Sequence, residues 1–140
     1  MPTRPGLYEF FAGGGMVRAG LGSSWRCLFA NDLDPRKARA YRQNWGDGGE
    51  LTVGDVADLM PADLPGLAEL MWGSFPCQDL SLAGQGAGLA GARSGAFHAF
   101  WRLVTGLAEG GRAPRLVVVE NVCGTLTSRG HSFPTDLSDL

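Results

Sequence analysis

The sequence predicts an α/β domain with an open, mostly parallel sheet of about five strands. Two patterns carry that expectation. Short apolar runs alternate along the chain with segments of helical periodicity, and each run closes on glycine or a polar residue. That is the order of a sheet with helical crossovers. The run PRLVVVEN (residues 114–121) is the clearest strand, a continuous β-branched stretch of the kind a buried parallel strand shows. A chain of 140 residues is the common size of one domain and buries roughly two-thirds of its unfolded surface. Residues 1–140 are therefore expected to form a single domain.

The elements follow in order. GLYEFF (residues 6–11) is a short apolar run ending in a glycine cluster and reads as a buried strand. The glycines of AGGGMVRAGLG then turn the chain into a short helix. WRCLFA (residues 25–30) is a second strand, closed by the acidic residues of NDLDP. Pro35 suits a first helical position, and behind it Ala38, Tyr41 and Trp45 share one face at spacings of three and four. This helix is expected to run to about Trp45, where GDGG ends it. ELTVGD is a weaker third strand, and LAELMWGS a fourth that leads into a loop carrying Cys77. Residues 81–95, rich in glycine and alanine, read as a mobile loop. A helix is expected from about Ala96 to Glu109, with Phe97, Phe100, Trp101, Val104 and Leu107 as its apolar stripe. Such a stripe is core.

Composition excludes several classes. Hydrophobic residues make up 44% and charged residues 19%. No apolar run approaches the ~20 residues of a membrane span, and no signal-peptide pattern opens the chain. A soluble, cytoplasmic protein is expected. Cys27, Cys77 and Cys123 lie far apart with no CxxC pair, against a zinc site and against a disulfide framework; no metal site is expected. Formal net charge is −2, and Lys37 is the sole lysine among twelve basic residues. Arg36, Arg39 and Arg42 recur as a solvated helix face would. Any affinity for DNA phosphates must therefore come mostly from elsewhere.

The residues with chemistry gather at one end of the predicted sheet. In open α/β sheets, ligands bind beyond the carboxyl ends of the strands. Gly13, Gly14 and Gly15 follow the first strand, Asp32 the second, Asp55 the third and Cys77 the fourth, while Glu120 ends the fifth. The glycines let backbone approach a ligand and offer N–H groups at a helix start, though a tight turn without a ligand would use them equally. Asp32, about 19 residues beyond Gly13, is placed to accept from ribose hydroxyls. Together they favour an adenosine-containing ligand. Asp55 can take the exocyclic amine of adenine, or be a turn residue. Neither a phosphate loop nor GxGxxG is present, which suits a nucleoside cofactor without a pyrophosphate. Cys77 is either a buried structural thiol or a nucleophile activated by its loop. Glu120, on an apolar strand end, is expected to be partly desolvated and so able to donate a proton. His98 and His131 receive no role.

EFFAGGG, NDLDP, GDV, GSFPCQDLS, GARSGAFHAFWRLV and ENV occur in this order over nearly the whole chain. In that order they resemble the catalytic half of DNA cytosine-5 methyltransferases. The resemblance implies a Rossmann-like sheet, incomplete at about five strands, and S-adenosylmethionine as cofactor. It places Phe11, Ala12, Gly13, Gly14 and Gly15 in the cofactor loop, Asp32 and Leu33 in the ribose segment, and Asp55 and Val56 beside the adenine. Pro76 would shape the nucleophile loop and also border the cofactor. Cys77 would attack carbon 6 of a cytosine flipped out of double-stranded DNA, Glu120 would protonate ring nitrogen 3, and Asn121 would position Glu120. A restriction-modification setting is implied by resemblance alone.

The chain departs from the family pattern at several points. Met16 stands where the family has a further glycine, which puts a bulky side chain beside the cofactor loop. Glu9 replaces an aspartate, and Leu33 stands where some members stack an aromatic ring on the adenine. The target-recognition domain and later strands are expected to be absent, so three readings compete. The chain is a fragment or split subunit that works with a second chain, an inactive domain that still binds the cofactor, or a non-catalytic interaction protein. An RNA substrate is a further alternative within the family.

Overall fold

The structure, a computed structural model, describes residues 3–75 and 95–120. Strand β1 (Gly6–Phe10) leads to helix α1 (Met16–Leu21), and β2 (Arg26–Asp32) to α2 (Pro35–Trp45). Then come β3 (Leu51–Val53), β4 (Leu70–Gly73), α3 (Gly95–Glu109) and β5 (Leu116–Val119). The sheet order is β3-β2-β1-β4-β5, and every pairing is parallel. The chain winds outward from β1 through β2 to β3, then returns to add β4 and β5 on the other side. This reversal opens a crevice above the carboxyl ends of β1 and its neighbours.

Local chemistry explains the elements. All five residues of β1 are buried, as a central strand covered on both faces requires. Between β1 and β2 the register slips at Leu7/Tyr8, where Leu28 is the extra residue on β2. Helix α2 starts where the Asp34 carboxylate accepts from the Arg36 N–H at 2.8 Å, with Pro35 in the first turn.

The main core lies between the sheet and α3, where Tyr8, Phe10, Phe29 and Met71 meet Phe100, Leu103, Val104 and Leu107. Phe10 meets the Phe100 ring edge-on at 5.3 Å, a favourable aromatic geometry. Gly73 makes room for this ring: a Cβ there would lie 2.9 Å from Phe100 and force it to shift. A smaller cluster on the α2 side joins Ala12, Ala30 and Tyr41.

Two findings modify the sequence reading. Strand β2 runs on to Asp32 rather than stopping at Ala30, because Ala30, Asn31 and Asp32 pair with β3. Two short 3-10 turns, Val56–Asp58 and Pro61–Asp63, had no sequence signal, since three residues are too few to show a period. They are held from outside: the Arg102 guanidinium donates to the carbonyls of Ala57 and Leu59, both at 3.0 Å, and that of Arg112 to the Pro61 carbonyl at 2.6 Å. The mobile loop expected over residues 81–95 lies outside the described residues up to position 94.

Candidate cofactor cleft and active site

At the carboxyl ends of the strands lies a cleft of about 680 Å³. Its walls include Phe11, Asp32, Leu33, Asp55 and Val56, five of the positions singled out for the cofactor, together with Asn31, Asp34, Lys37, Gly54 and Ser74. Apart from Lys37 in the first turn of α2, they lie at or just beyond the ends of β1, β2, β3 and β4. Parallel packing brings them together.

Phe11 is the first residue beyond β1 and the one described non-glycine residue with a left-handed backbone, at φ 55. Such a conformation is uncommon for a bulky residue and marks local strain. It turns the chain out of the sheet, while the N–H of Ala12 donates to the Asn31 carbonyl at 3.0 Å. Ala12 is buried, and with Gly13, Gly14 and Gly15 it forms the turn that adjoins the cleft rather than its wall.

Asp32 ties that turn to the cleft. One carboxylate oxygen accepts from the Gly13 N–H at 2.8 Å, the other from the Asp34 N–H at 2.9 Å. A carboxylate offers about four lone-pair sites, so both oxygens retain acceptor capacity toward ribose hydroxyls. Asn31, also buried, donates to the carbonyls of Thr52 (2.9 Å) and Gly54 (3.1 Å), which fixes the start of the Asp55 segment. One oxygen of Asp55 accepts from the Ala57 N–H at 2.9 Å. The other accepts from no group among the described residues. Apolar walls at Phe11, Leu33 and Val56 together with the Asp32 and Asp55 carboxylates fit an adenosine moiety, and in this respect the residues present suit S-adenosylmethionine.

Met16 does not crowd the cleft: as the first residue of α1 its side chain is 73% exposed. Leu33 is 66% exposed on the cleft rim. Glu120 follows β5, and its N–H donates to the Gly73 carbonyl at 3.0 Å, which sets it beside the end of β4. Its side chain is exposed, so the desolvation expected from its apolar strand is not found. Pro76, Cys77 and Asn121 lie outside the described residues. Phe75, immediately before them, is buried against Phe97 with ring centres 5.2 Å apart.

Behind the turn lies a polar network that the sequence reading left without a role. Glu9 is 1% exposed on β1; one oxygen accepts from the Val17 N–H at 3.0 Å, and the other has no partner among the described residues. Burial pushes its carboxyl up to about 7, against the pull of the Val17 and Arg18 N–H groups and the Arg18 guanidinium. Arg18 donates to the Tyr41 hydroxyl (3.0 Å) and to Glu50 (2.8 Å), and lies 4.5 Å over the Trp45 ring. Burial raises the Cys27 thiol above its ordinary range, opposed by the Tyr41 hydroxyl. A charged residue inside an otherwise apolar strand was the available signal for Glu9. Nothing in the spacing marked Trp45 as more than core.

Comparison with known proteins agrees with the architecture. The family model for C-5 cytosine-specific DNA methylase matches residues 6–140. The chain is 30% identical over 129 residues to Type II methyltransferase M.NgoFVII of Neisseria gonorrhoeae, covering 90% of this chain and 32% of that protein. With Type II methyltransferase M.HaeII of Haemophilus aegyptius it is 30% identical over 128 residues, covering 89% and 37%. It therefore spans about a third of the length of these curated relatives. In fold it is similar to the S. pombe Dnmt2 methyltransferase, with TM-score 0.69, 23% identity, and coverage of 90% of this chain and 38% of that one. The Entamoeba histolytica methyltransferase EhMeth gives TM-score 0.74 at 18% identity, with coverage of 91% and 41%. Matched from the first residue of β1 onward, this parallel five-stranded chain belongs to the C-5 cytosine-specific DNA methylase family.

Proposed function

We propose that the chain supplies the cofactor-binding and nucleophile-bearing part of a DNA cytosine-5 methyltransferase. The observation that carries this is the convergence of Phe11, Asp32, Leu33, Asp55 and Val56 on one cleft at the carboxyl ends of the strands. S-adenosylmethionine, bound there, would supply an electrophilic methyl group. Asp32 accepts its ribose hydroxyls, Asp55 its adenine amine, and Phe11 and Val56 hold the ring. Pro76 shapes the loop that delivers Cys77.

The Cys77 thiolate adds to carbon 6 of a flipped cytosine, forming a sulfur–carbon bond, while Glu120, positioned by Asn121, gives a proton to nitrogen 3. Carbon 5 becomes the nucleophile and would take the methyl group as the sulfonium carbon–sulfur bond breaks, leaving S-adenosylhomocysteine. Loss of the carbon 5 proton to a base then restores the carbon 5–carbon 6 double bond and expels Cys77 as thiolate, while the nitrogen 3 proton returns to Glu120. Double-stranded DNA is the substrate in this reading, as the family's description suggests. With a formal charge of −2, the chain needs a further source of positive charge to hold phosphates. We assign that role, and target recognition, to a segment or second chain outside residues 1–140, which form one domain. None of the described helices is long and apolar enough to cross a membrane.

The test is transfer of labelled methyl from S-adenosylmethionine to mixed-sequence duplex DNA. The chain is assayed alone and with the remaining two-thirds of a Type II relative supplied as a second chain. Label that appears in either setting and vanishes with Cys77→Ser supports the proposal. No label in both settings overturns catalysis. A cofactor titration then separates a domain that only binds S-adenosylmethionine from an interaction protein that does not.

A further inference from the structure

The turn at residues 12–15 is gripped from behind by the last two residues of α2. The Gly14 carbonyl accepts two hydrogen bonds, from the Asn44 amide at 2.9 Å and from the Trp45 indole N–H at 3.0 Å. The fit is close on both sides: a Cβ on Gly14 would lie 3.2 Å from the Asn44 amide nitrogen, and one on Gly15 would collide with the Trp45 indole nitrogen. Trp45 is itself held, since the Arg18 guanidinium lies 4.5 Å over its ring and is anchored by Tyr41 and Glu50. One residue earlier in the turn, the Gly13 N–H is bound to the Asp32 carboxylate on the cleft wall. The geometry points to Asn44 and Trp45 as positioning residues for the cofactor: by holding the Gly14 carbonyl they set the turn, and through Gly13 they set the Asp32 carboxylate. This rests on the reading of the cleft as the S-adenosylmethionine site.

The physical argument is one of preorganisation. A turn with three consecutive glycines has wide conformational freedom, and ordering it on binding would cost affinity. Two donors on a single carbonyl, one of them from a ring stacked under an anchored cation, remove that freedom before the ligand arrives. Neither residue lines the cleft, so neither needs to touch the cofactor to act.

Two variants test this: Trp45→Phe, which keeps the ring beneath Arg18 but removes the N–H, and its combination with Asn44→Ala. Trp25→Phe, at the opposite end of the sheet, is the control. Amide hydrogen exchange of the free chain is read at Gly13 and Gly15, and S-adenosylhomocysteine binding is read by calorimetry. Loss of a hydrogen bond worth ~1.4 kcal/mol corresponds to roughly tenfold. Trp45→Phe, which loses one bond, is expected to exchange about tenfold faster at Gly13 and Gly15, with β1 and β2 unchanged, and to bind about tenfold more weakly; the double variant, which loses both, is expected to approach about a hundredfold in each. In the assembled enzyme the loss is expected in KM for the cofactor and not in kcat. Wild-type binding with equal binding by the variants overturns the positioning role while leaving the cofactor site standing. Faster exchange without weaker binding overturns it as well. Failure of the wild-type chain to bind overturns the cofactor reading and the positioning role with it.

Discussion

At Glu9 the fold places a carboxyl inside the sheet, where burial holds it up at about 7 instead of the ordinary 4.5. The folded chain then binds more protons than the unfolded one between these values. The contribution of Glu9 to stability is full below about 4.5 and declines as pH rises, with the loss complete above about 7. The whole effect is on the order of 3 kcal/mol. Glu9→Gln keeps the shape and removes the charge, so it is expected to raise Tm at pH 8 by about 5 °C or more and to change it little at pH 5. Thermal denaturation at the two pH values decides this; an equal shift at both would refute it. Asp32 makes a different prediction, because its two oxygens already serve Gly13 and Asp34. In Asp32→Asn one of those acceptors becomes a donor facing an N–H. S-adenosylhomocysteine should bind roughly tenfold to a hundredfold more weakly, with a stability loss of about 1–2 kcal/mol, read by titration and urea unfolding. Binding that survives unchanged would remove Asp32 from the site.

The elements meet the sequence reading unequally, and the reason is length. Helix α2 runs Pro35–Trp45, as its proline and apolar spacing indicate, because eleven residues display several turns of periodicity. Strand β2 extends two residues further than its apolar run, since Asn31 and Asp32 are polar residues kept in the strand by pairing with β3. The turn before α1 is the element most dependent on its surroundings. Gly15 sits at φ 82 against the Trp45 indole, so Gly15→Ala meets both backbone strain and a collision. A destabilisation on the order of 2 kcal/mol is expected, larger than for Ala at Gly20, which has open space around it. Chemical denaturation of the two variants side by side measures the difference, and equal losses would count against the close packing of the turn.

For the whole molecule, the sheet reversal and the α3 core hold the cleft in shape. Phe100 is fully buried, meets Phe10 edge-on and covers Gly73. Phe100→Ala is expected to cost about 3–5 kcal/mol. It should abolish cofactor binding together with folding, whereas Asp32→Asn should leave the fold intact. A Phe100→Ala chain that unfolds with wild-type cooperativity and midpoint would show that α3 is not the main support of the sheet. A chain that spans about a third of its relatives' length can build this cleft because its described wall residues come from the ends of the first four strands and the segments that follow them, including the first turn of α2, and from the start of α3.

The sequence by itself determined the fold class, the strand order along the chain, the family and which residue types wait at the strand ends, because periodicity, glycine turns and ordered motifs are local or nearly local properties. Tertiary structure alone decided which of those residues share a wall. Phe11, Asp32, Leu33, Asp55 and Val56 meet on one cleft, whereas Met16 points to solvent and Glu120 is exposed rather than desolvated. It also decided what stands behind the wall. Glu9 titrates near neutrality only because the sheet and α1 bury it, and Trp45 reaches the Gly14 carbonyl across 31 positions of chain. Burial and long-range hydrogen bonding depend on neighbours far away in sequence, so no reading of local pattern could have supplied them.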